Sequence, residues 1–140
     1  MTAGDLEAIE RALDFPLPAF YKRYMQDYPN SLPDKLPAWL KPVTEWAFAD
    51  NPERVIAFNR FVREQEGGYF IENGPWPDEY LVIGSEYDQN YFAVNRLDGK
   101  EVVYLWSHED GEFDSIAESL QGYADWLVEW SDEIRRRNEE

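Results

Sequence analysis

Histidine chemistry in this chain would rest on one residue, His108, in the run Trp106-Ser107-His108-Glu109-Asp110. A Ser-His-Asp triad needs side chains that converge in space, and neighbours in a linear run do not supply that convergence. We therefore expect His108 to be structural or to contact a partner, and not to be catalytic.

Carboxylates are the other groups that could do chemistry, because the chain has 29 Asp and Glu residues. A pair of them could support glycoside hydrolysis, but with so many acids such a pair carries almost no specificity. A carboxylate-based hydrolase is the least favoured function.

Metal and cofactor sites are also poorly supported. Asp110, Glu112 and Asp114 alternate like the start of an EF-hand loop, but the sixth position is Ser115 and the twelfth is Gln121. One His and no Cys argue against zinc, and no phosphate-binding glycine motif is present. We expect no catalytic residue, no metal and no cofactor.

The acidic residues are concentrated in two segments that contain no Lys or Arg. Residues 64–95 hold seven acids and residues 101–134 hold ten, which together carry −17 of a net charge of −16 and leave +1 elsewhere. Small domains usually carry roughly 2–8 units. Such a surface repels nucleic acid and anionic lipid and attracts cationic proteins. A basic protein partner is expected, with solubility as the alternative explanation for the charge.

Composition indicates one folded domain over residues 1–140. Hydrophobic residues make up 44% of the chain and aromatic residues 16%, which is too apolar for disorder. No apolar run reaches the roughly 18–20 residues that span a bilayer, and the start lacks the features of a secretory signal. The absence of Cys fits a cytoplasmic protein.

The first half of the chain is predicted to be mainly helical. Apolar spacing predicts a helix over Gly4 to Asp14, a second starting at Pro18, and a third starting at Pro52 with Asp50 or Asn51 as its cap. In the third helix the inward residues are expected to be Val55, Phe58, Phe61 and Val62. Gly67-Gly68 is expected to end it. Asn30 to Pro42 is expected to be loop, and Glu45 to Ala49 a short strand.

The second half is predicted to be mainly β. Short strands are expected at Tyr69–Ile71, with a turn at Asn73-Gly74, and at Tyr80–Ile83, ending at Gly84. Tyr91–Arg96 and Glu101–Trp106 flank Leu97-Asp98-Gly99-Lys100, which predicts a hairpin. The apolar run Val102–Trp106 is expected to be covered on both faces.

The C-terminal segment predicts a long amphipathic helix. Ser115 to Glu118 fits a capping box, and an apolar stripe follows at Ile116, Leu120, Tyr123, Leu127, Trp130 and Ile134. The stripe is interpreted as core packing. Acidic residues offset from it are expected to form a ridge that faces water: Glu118, Asp125, Glu129 and Asp132.

Four aromatic residues lie among the acids of the middle segment. Tyr80 and Tyr91 are expected in the core, while Trp76 and Tyr87 fit a core position and a recognition surface equally well.

Three stretches of the chain resemble the SUKH superfamily, the Smi/Knr type. The opening Leu13–Met25 resembles its Leu-Pro step and aromatic helix. Trp76–Gly84 with Asn90–Asn95 resembles the family's middle segment, and Val103–Glu109 with Ile116–Leu127 its ending. The segment 85–90 departs from the family pattern, because it has no Gly after Gly84 and is more acidic and bulkier than usual.

The resemblance implies an α+β domain with an antiparallel sheet flanked by helices. Together with the hairpin and the C-terminal stripe, it leads us to expect roughly four to six strands and a long C-terminal helix packed on the sheet. It implies no catalytic residues. In bacteria such domains are typically immunity proteins that neutralise a cognate toxin, often a nuclease, and in fungi they are regulatory interaction modules.

The leading interpretation is a non-enzymatic cytoplasmic protein, a monomer or weak dimer, that binds a basic toxin domain. A general regulatory or assembly module is the alternative. The residues expected to contact the partner are Trp76, Glu86, Tyr87, Asp88, Glu109, Asp110, Glu112, Glu118, Asp125 and Glu129.

Overall fold

A computed structural model describes residues 1–28, 30, 45–64, 75–86 and 90–139. Its helices in these ranges are α1 (Ala3–Leu13), α2 (Ala19–Asp27), α3 (Pro52–Glu64) and α4 (Leu120–Glu139). Its strands are β1 (Tyr80–Glu86), β2 (Asn90–Asn95), β3 (Val103–Trp106) and β4 (Phe113–Ala117). The predicted α+β fold, with helices first and a long C-terminal helix after the sheet, is confirmed.

Helices α1 and α3 begin at side-chain caps that satisfy otherwise unpaired backbone N–H groups. Thr2 accepts a 3.1 Å hydrogen bond from the Asp5 N–H, and the Asp5 carboxylate accepts one of 3.0 Å from the Thr2 N–H. At α3, Asn51 accepts a 2.8 Å bond from the Arg54 N–H. The predicted start of α3 at Pro52 is therefore confirmed, with Asn51 as its cap.

The sheet is an antiparallel meander in the order β1-β2-β3-β4. The predicted hairpin is confirmed, since β2 pairs with β3 from Tyr91 opposite Trp106 to Val94 opposite Val103. Gly99 in its turn has φ 73°, a conformation that glycine adopts without steric cost. The expectation that β3 is covered on both faces is wrong for Tyr104 and Leu105, which are only half-buried.

The predicted strand from Glu45 to Ala49 is wrong. Residues 45–47 form a helical turn, and Ala47, Phe48 and Ala49 then pass through the core with at most 4% exposure. A buried segment outside a sheet must pair its backbone groups with other partners. Tyr123 Oη donates to the Ala47 carbonyl, Tyr28 Oη donates to the Phe48 carbonyl at 2.9 Å, and the Ala49 N–H donates to the Ile83 carbonyl at 3.0 Å.

The prediction that β1 ends at Gly84 is wrong. Gly84 forms part of a bulge inside the strand. The register shifts between Val82 and Gly84, so that Val82 lies opposite Ala93 and Gly84 opposite Phe92. A Cβ at Gly84 would overlap the carbonyl group of Ala47. The glycine therefore allows the buried 47–49 segment to pass directly against β1.

Helix α3 covers the outer edge of β1 through the buried Asn59. Its Nδ2 donates to the Val55 and Val82 carbonyls at 2.8 and 2.9 Å, and its Oδ1 accepts from the Val82 N–H at 2.9 Å. This pairing satisfies an edge position that would otherwise be open. Val55, Phe58 and Val62 are buried as predicted, but Phe61 is 46% exposed, so its inward assignment is wrong.

The predicted capping box at Ser115 is wrong because Ile116 and Ala117, which would form the first helical turn after the cap, continue strand β4. Helix α4 begins at Leu120, where Ser119 Oγ accepts a 2.9 Å bond from the Gly122 N–H. Leu120, Tyr123 and Leu127 of the predicted stripe are buried, and Trp130 is half-buried. Ile116 lies on β4 instead of on the helix.

Aromatic side chains fill the core on both faces of the sheet. On one face, Phe92 packs against Tyr123 and Trp126 of α4, with ring centroids 5.1 and 6.0 Å apart. On the other, Tyr91 packs against Phe58 of α3 at 6.3 Å and Trp106 at 6.1 Å. Helix α4 is thus held to one face and α3 to the other.

Several expectations fall outside the described residues. They are the loop after Asn30, the stop at Gly67-Gly68, the strand Tyr69–Ile71 and the turn Asn73-Gly74. Among the helices that are described, none is both long enough and apolar enough to cross a membrane.

Candidate partner-binding surface

Two sets of acidic residues that are predicted to contact a partner lie at the same end of the sheet: Glu86, and the acids of the loop after β3. Glu86 is the last residue of β1 and lies opposite Asn90, the first residue of β2. Asn90 Oδ1 accepts a 3.0 Å bond from the backbone N–H of His108, in the loop between β3 and β4. The loop of residues 107–112, which contains Glu109, Asp110 and Glu112, is therefore tied to the end of the strands that carries Glu86.

The backbone of this loop is held by its own hydrogen bonds. The Ser107 N–H donates to the Glu112 carbonyl across the base of the loop at 3.2 Å, and the Gly111 N–H donates to the Ser107 carbonyl at 2.8 Å. Asp110 Oδ1 accepts from the Glu112 N–H at 2.9 Å. Gly111 has φ 71°, which places a left-handed residue in the turn. The loop thus presents exposed carboxylates from a defined backbone.

His108 participates in this arrangement as a positioning group. Its ring Nδ1 lies 2.9 Å from Asn90 Oδ1, the atom that also accepts from its backbone N–H. Since Asn90 Oδ1 is an acceptor, the ring nitrogen facing it carries the proton. The half-buried ring thereby fixes the loop to the sheet.

The predicted acidic ridge divides into separate parts. Asp125 and Glu129 lie four residues apart on α4 and are both exposed, as expected. Glu118 is exposed but lies in the bend before α4, after the strand that pairs Ala117 with Val103. It is therefore at the opposite end of β3 from Glu109, Asp110 and Glu112, and it does not belong to the helical ridge.

Like most acidic residues in the described ranges, these acids form no ion pair there. Within the described ranges, the three ion pairs join Lys22 to Glu10 and both Arg63 and Arg96 to Asp78. None of them involves an acid of the 107–118 region or the Asp125–Glu129 pair. Those carboxylates remain available for a cation supplied by another molecule.

Asp78 shows the contrasting arrangement. Its carboxylate forms ion pairs with the guanidinium groups of Arg63, at 2.9 Å, and of Arg96. The same guanidinium groups of Arg63 and Arg96 lie 5.0 and 4.3 Å from the ring centre of Phe15. Burial lowers the pKa of Arg63, an effect that Asp78 opposes. Asp78 is itself exposed, but its charge is balanced by two arginines of the same chain, and it ties the turn before β1 to α3 and the hairpin.

Trp76 belongs to the core, so the structure decides between its two interpretations. It is 8% exposed, and its indole N–H donates a 2.9 Å bond to the Tyr80 carbonyl. Its ring meets Tyr91, Trp106 and Phe113 edge-on at 5.4–6.2 Å. The proposal that it contacts a partner fails because its surface is already used.

Tyr91 is buried as predicted, and Tyr80 is half-buried and stacked 4.0 Å from Phe113. Tyr87 and Asp88 lie outside the described residues.

Sequence reasoning missed an apolar groove beside α3. Its volume is about 530 Å³, and its walls include Trp46, Ala57, Phe58 and Tyr91. Trp46, which the sequence pattern places on a strand, is 43% exposed, and Phe61, which the pattern places in the interior, is 46% exposed. The pairing of an exposed Trp with the outer face of a neighbouring helix depends on the turn at 45–47, which no local pattern indicated.

The described residues present no evident catalytic arrangement. No group of three or more His, Asp or Glu within them could hold a metal ion. The surface described above presents oriented charge and exposed aromatic rings, which are features of recognition.

Comparison with known proteins gives a family but no individual relative. The model of the SMI1 / KNR4 family (SUKH-1) matches residues 1–126, most of the chain. No curated protein and no solved structure matches.

Proposed function

The chain belongs to the SMI1 / KNR4 family (SUKH-1), and on that premise we propose that it is a cytoplasmic immunity protein that binds and neutralises a cognate basic toxin domain. The family consists in general of toxin-neutralising immunity domains that bind protein partners. The observation that carries the proposal for this chain is the exposed, unneutralised acid surface at the sheet end and on α4.

The charge of the surface agrees with the chemistry of one toxin class. A nuclease must hold phosphates and is therefore cationic around its active site. An acidic inhibitor associates with such a surface quickly, because complementary potentials steer the encounter. Glu86, Glu109, Asp110 and Glu112 form the patch best placed for this role, since Asn90 and His108 hold its two parts together.

Neutralisation in this proposal is by occlusion and not by chemistry. The inhibitor needs a rigid surface that the toxin cannot deform, and the aromatic core below the patch provides it. Tyr91, the second residue of β2, is fully buried and contacts rings from Trp76, Trp106 and Phe58.

The experiment is affinity capture with the chain as bait in its native host, followed by mass spectrometry and separate expression of the captured protein. The proposal expects a basic protein that arrests growth when produced alone and is harmless when produced together with the chain. A captured partner that is not toxic would favour the regulatory interaction module instead. Substrate turnover by the pure chain, lost on mutation of one carboxylate, would refute a non-enzymatic role.

A further inference from the structure

The sheet has two edges, β1 and β4, and within the described residues only the β1 edge is covered. Asn59 bonds both the N–H and the carbonyl of Val82 on that edge, each at 2.9 Å. The Ala49 N–H donates to the next carbonyl, that of Ile83, at 3.0 Å. An uncovered edge presents unpaired backbone groups and is a template for pairing with another chain. The state of the β4 edge therefore bears on what the protein can bind.

The hydrogen bonding of β4 to β3 identifies the backbone groups of β4 that point outward. The Ser107 N–H donates to the Glu112 carbonyl at 3.2 Å, so these two residues form a hydrogen-bonded pair just before β4. Hydrogen-bonded and non-hydrogen-bonded pairs alternate along an antiparallel ladder. Asp114 is then the next residue that bonds β3. The backbone N–H and carbonyl groups of Phe113 and Ser115 point away from β3, toward the outside of the sheet.

The β4 edge is open but firmly attached to the sheet. From the parts of the chain that the structure describes, no hydrogen bond reaches the outward groups of Phe113 or Ser115. Ser115 is exposed, so solvent has access to the edge. The Phe113 ring stacks 4.0 Å from Tyr80, which fixes the strand against the aromatic core. An incoming strand would therefore meet a preformed template.

The side chains at the start of this edge are acidic. Glu112 continues the ladder of β4, and two residues later Asp114 projects from the same face of the sheet, because strand side chains alternate. Both side chains are exposed. Within the described ranges neither forms an ion pair. The edge thus combines unpaired backbone groups with two carboxylates at alternate positions.

The bases of the neighbouring elements do not offset these two acids. Arg63 and Arg96 are both engaged with Asp78. Lys100 lies in the turn that leads into β3, at the end of the sheet where β4 finishes at Ala117. The acids lie at the other end, where β4 starts. Their charge is therefore available to a basic partner.

A second copy of the chain is a poor occupant of the edge. If two copies paired antiparallel with Phe113 opposite Phe113, Asp114 would face Glu112 of the other copy. With Phe113 opposite Ser115, Asp114 would face its own counterpart. With Ser115 opposite Ser115, Glu112 would approach Glu118. Like charges directly opposite each other destabilise a strand pair, whereas opposite charges stabilise it.

We propose that an extended segment of the cationic partner joins β4 as a fifth, antiparallel strand, with Lys or Arg at alternate positions opposite Glu112 and Asp114. The inference rests on the proposed function, which makes the partner basic, and it adds how the partner is recognised. Main-chain hydrogen bonds to Phe113 and Ser115 provide affinity, and the two acids select the spacing of the bases. Asp114 falls in a non-hydrogen-bonded pair with the added strand, where opposed side chains lie closest.

The probe is a peptide that carries this pattern, acetyl-Thr-Val-Lys-Val-Lys-Val-Thr-amide. Its control, acetyl-Thr-Val-Val-Lys-Lys-Val-Thr-amide, has the same composition and charge but places the two bases next to each other. NMR titration of the full chain measures both affinities. We expect the alternating peptide to bind at least about five-fold more tightly, because only its bases can both face the acids.

Hydrogen exchange of three consecutive amides tests the strand pairing itself. In the free chain, the Asp114 amide should be protected by its bond to β3, while the amides of Phe113 and Ser115 exchange rapidly. At saturation with the alternating peptide, exchange at Phe113 and Ser115 should slow at least about ten-fold, because both amides then donate hydrogen bonds. Association through charge alone would leave these two rates unchanged.

A proline substitution blocks the edge without changing the charge. Ser115→Pro removes an outward N–H, and proline is tolerated where a strand N–H faces solvent. Ala3→Pro is the matched control, at the first position of α1, where proline is also accepted. We expect Ser115→Pro to lower the affinity for the alternating peptide at least about ten-fold and Ala3→Pro to change it less than about two-fold. Thermal melting verifies that both variants fold.

If Ser115→Pro does not fold, N-methylation of the peptide tests the same contact on the unaltered chain. In the proposed pairing the Val amides face β4 and the Lys amides face solvent. Methylation of the Val amides should therefore lower the affinity at least about ten-fold, and methylation of the Lys amides should change it less than about three-fold. Equal effects of the two modifications would contradict the pairing.

The edge proposal and the immunity function can fail separately. Equal binding of the alternating and control peptides, no binding of either, or unchanged exchange at Phe113 and Ser115 would overturn the edge proposal. A captured toxin that Ser115→Pro binds and neutralises as well as the parent would also overturn it, while supporting the immunity function. Conversely, a harmless captured partner whose affinity falls in Ser115→Pro would support the edge proposal and refute the immunity function.

Discussion

The segment 47–49 and the loop 107–112 are both short and irregular, but they use their polar groups in opposite ways. In the first, side chains from distant parts of the chain, Tyr28 and Tyr123, satisfy buried backbone carbonyls. In the second, backbone groups of the loop and the side chains of Asn90 and Asp110 satisfy the backbone, and the carboxylates of Glu109 and Glu112 are left exposed. The first segment determines the fold, and the second leaves its chemistry available to a partner.

The same contrast exists within one helix. Leu127 of α4 is fully buried, whereas Asp125 and Glu129 on either side of it in sequence are exposed. Substitutions on the inner side should therefore affect stability, and substitutions on the outer side should affect association. The predictions below test that separation, beginning with the largest expected change in stability.

Leu127→Ala should lower the free energy of unfolding by roughly 2–5 kcal/mol, because it removes buried methyl groups and leaves a cavity. Chemical denaturation measures the change. A loss below about 0.5 kcal/mol would mean that the inner face of α4 is not part of the core.

Gly84→Ala should lower the free energy of unfolding by about 3 kcal/mol, because the added Cβ would overlap the Ala47 carbonyl group and force backbone to move. Gly4→Ala is the matched control in α1, where the nearest atom to the new Cβ is Thr2 Oγ1 at 3.8 Å. It should be neutral or stabilise by up to about 1 kcal/mol. Equal effects of the two substitutions would disprove the close passage of residues 47–49 against β1.

Tyr28→Phe should cost roughly 1–3 kcal/mol, because the buried Phe48 carbonyl would lose its donor while the ring stack is kept. Tyr104→Phe, at a half-buried position, is the control and should change stability by less than about 0.5 kcal/mol. Denaturation of both variants under the same conditions gives the comparison, and indistinguishable midpoints would contradict the buried pairing.

Alkaline pH should lower the free energy of unfolding through the tyrosines buried in the core. Burial raises the pKa of Tyr21, Tyr28 and Tyr123 above the usual range, with Asp50 adding to the shift of Tyr28. The folded chain therefore keeps protons that the unfolded chain loses near pH 10. Their contribution is complete below about pH 10 and is lost as the pH rises toward the folded values. The free energy of unfolding should fall by about 1.4 kcal/mol per pH unit for each such tyrosine. In Tyr28→Phe one titrating group is removed, so the fall per pH unit should be smaller by that amount.

Local patterns in the sequence predicted the elements whose stability is local. Helix α3 starts at the predicted residue because Pro52 and the Asn51 cap act within one turn. The hairpin forms because the turn around Gly99 and the flanking apolar runs agree. Such features need no knowledge of distant residues.

Tertiary context determined the rest. The pattern of residues 45–49 predicts a strand, but Asn59 pairs with Val82 on the edge of β1. The segment reaches that edge through the Ala49 N–H, which donates to the Ile83 carbonyl, and Tyr28 and Tyr123 satisfy its own carbonyls. Ser115 reads as a helix cap, but β3 pairs with that segment. Of the candidate site, the charge was visible in the sequence, whereas the junction through Asn90 and the groove at Trp46 depend on folding.

Charge reversal on the outer face of α4 tests the separation of fold from function most directly. The variant Asp125→Lys with Glu129→Lys is compared with the control Glu7→Lys with Asp27→Lys, which makes the same change in net charge at exposed helical positions. Both should alter stability by less than about 0.5 kcal/mol. The measurement is the association rate with the captured partner at low and high salt, since exposed charges are screened over about 8 Å at physiological ionic strength.

The account predicts that the parent associates more slowly as salt rises. It also predicts that the α4 variant associates at least about ten-fold more slowly than the control variant at low salt. Equal association rates for the parent and both variants, with no effect of salt, would contradict it and leave the acidity as a device for solubility.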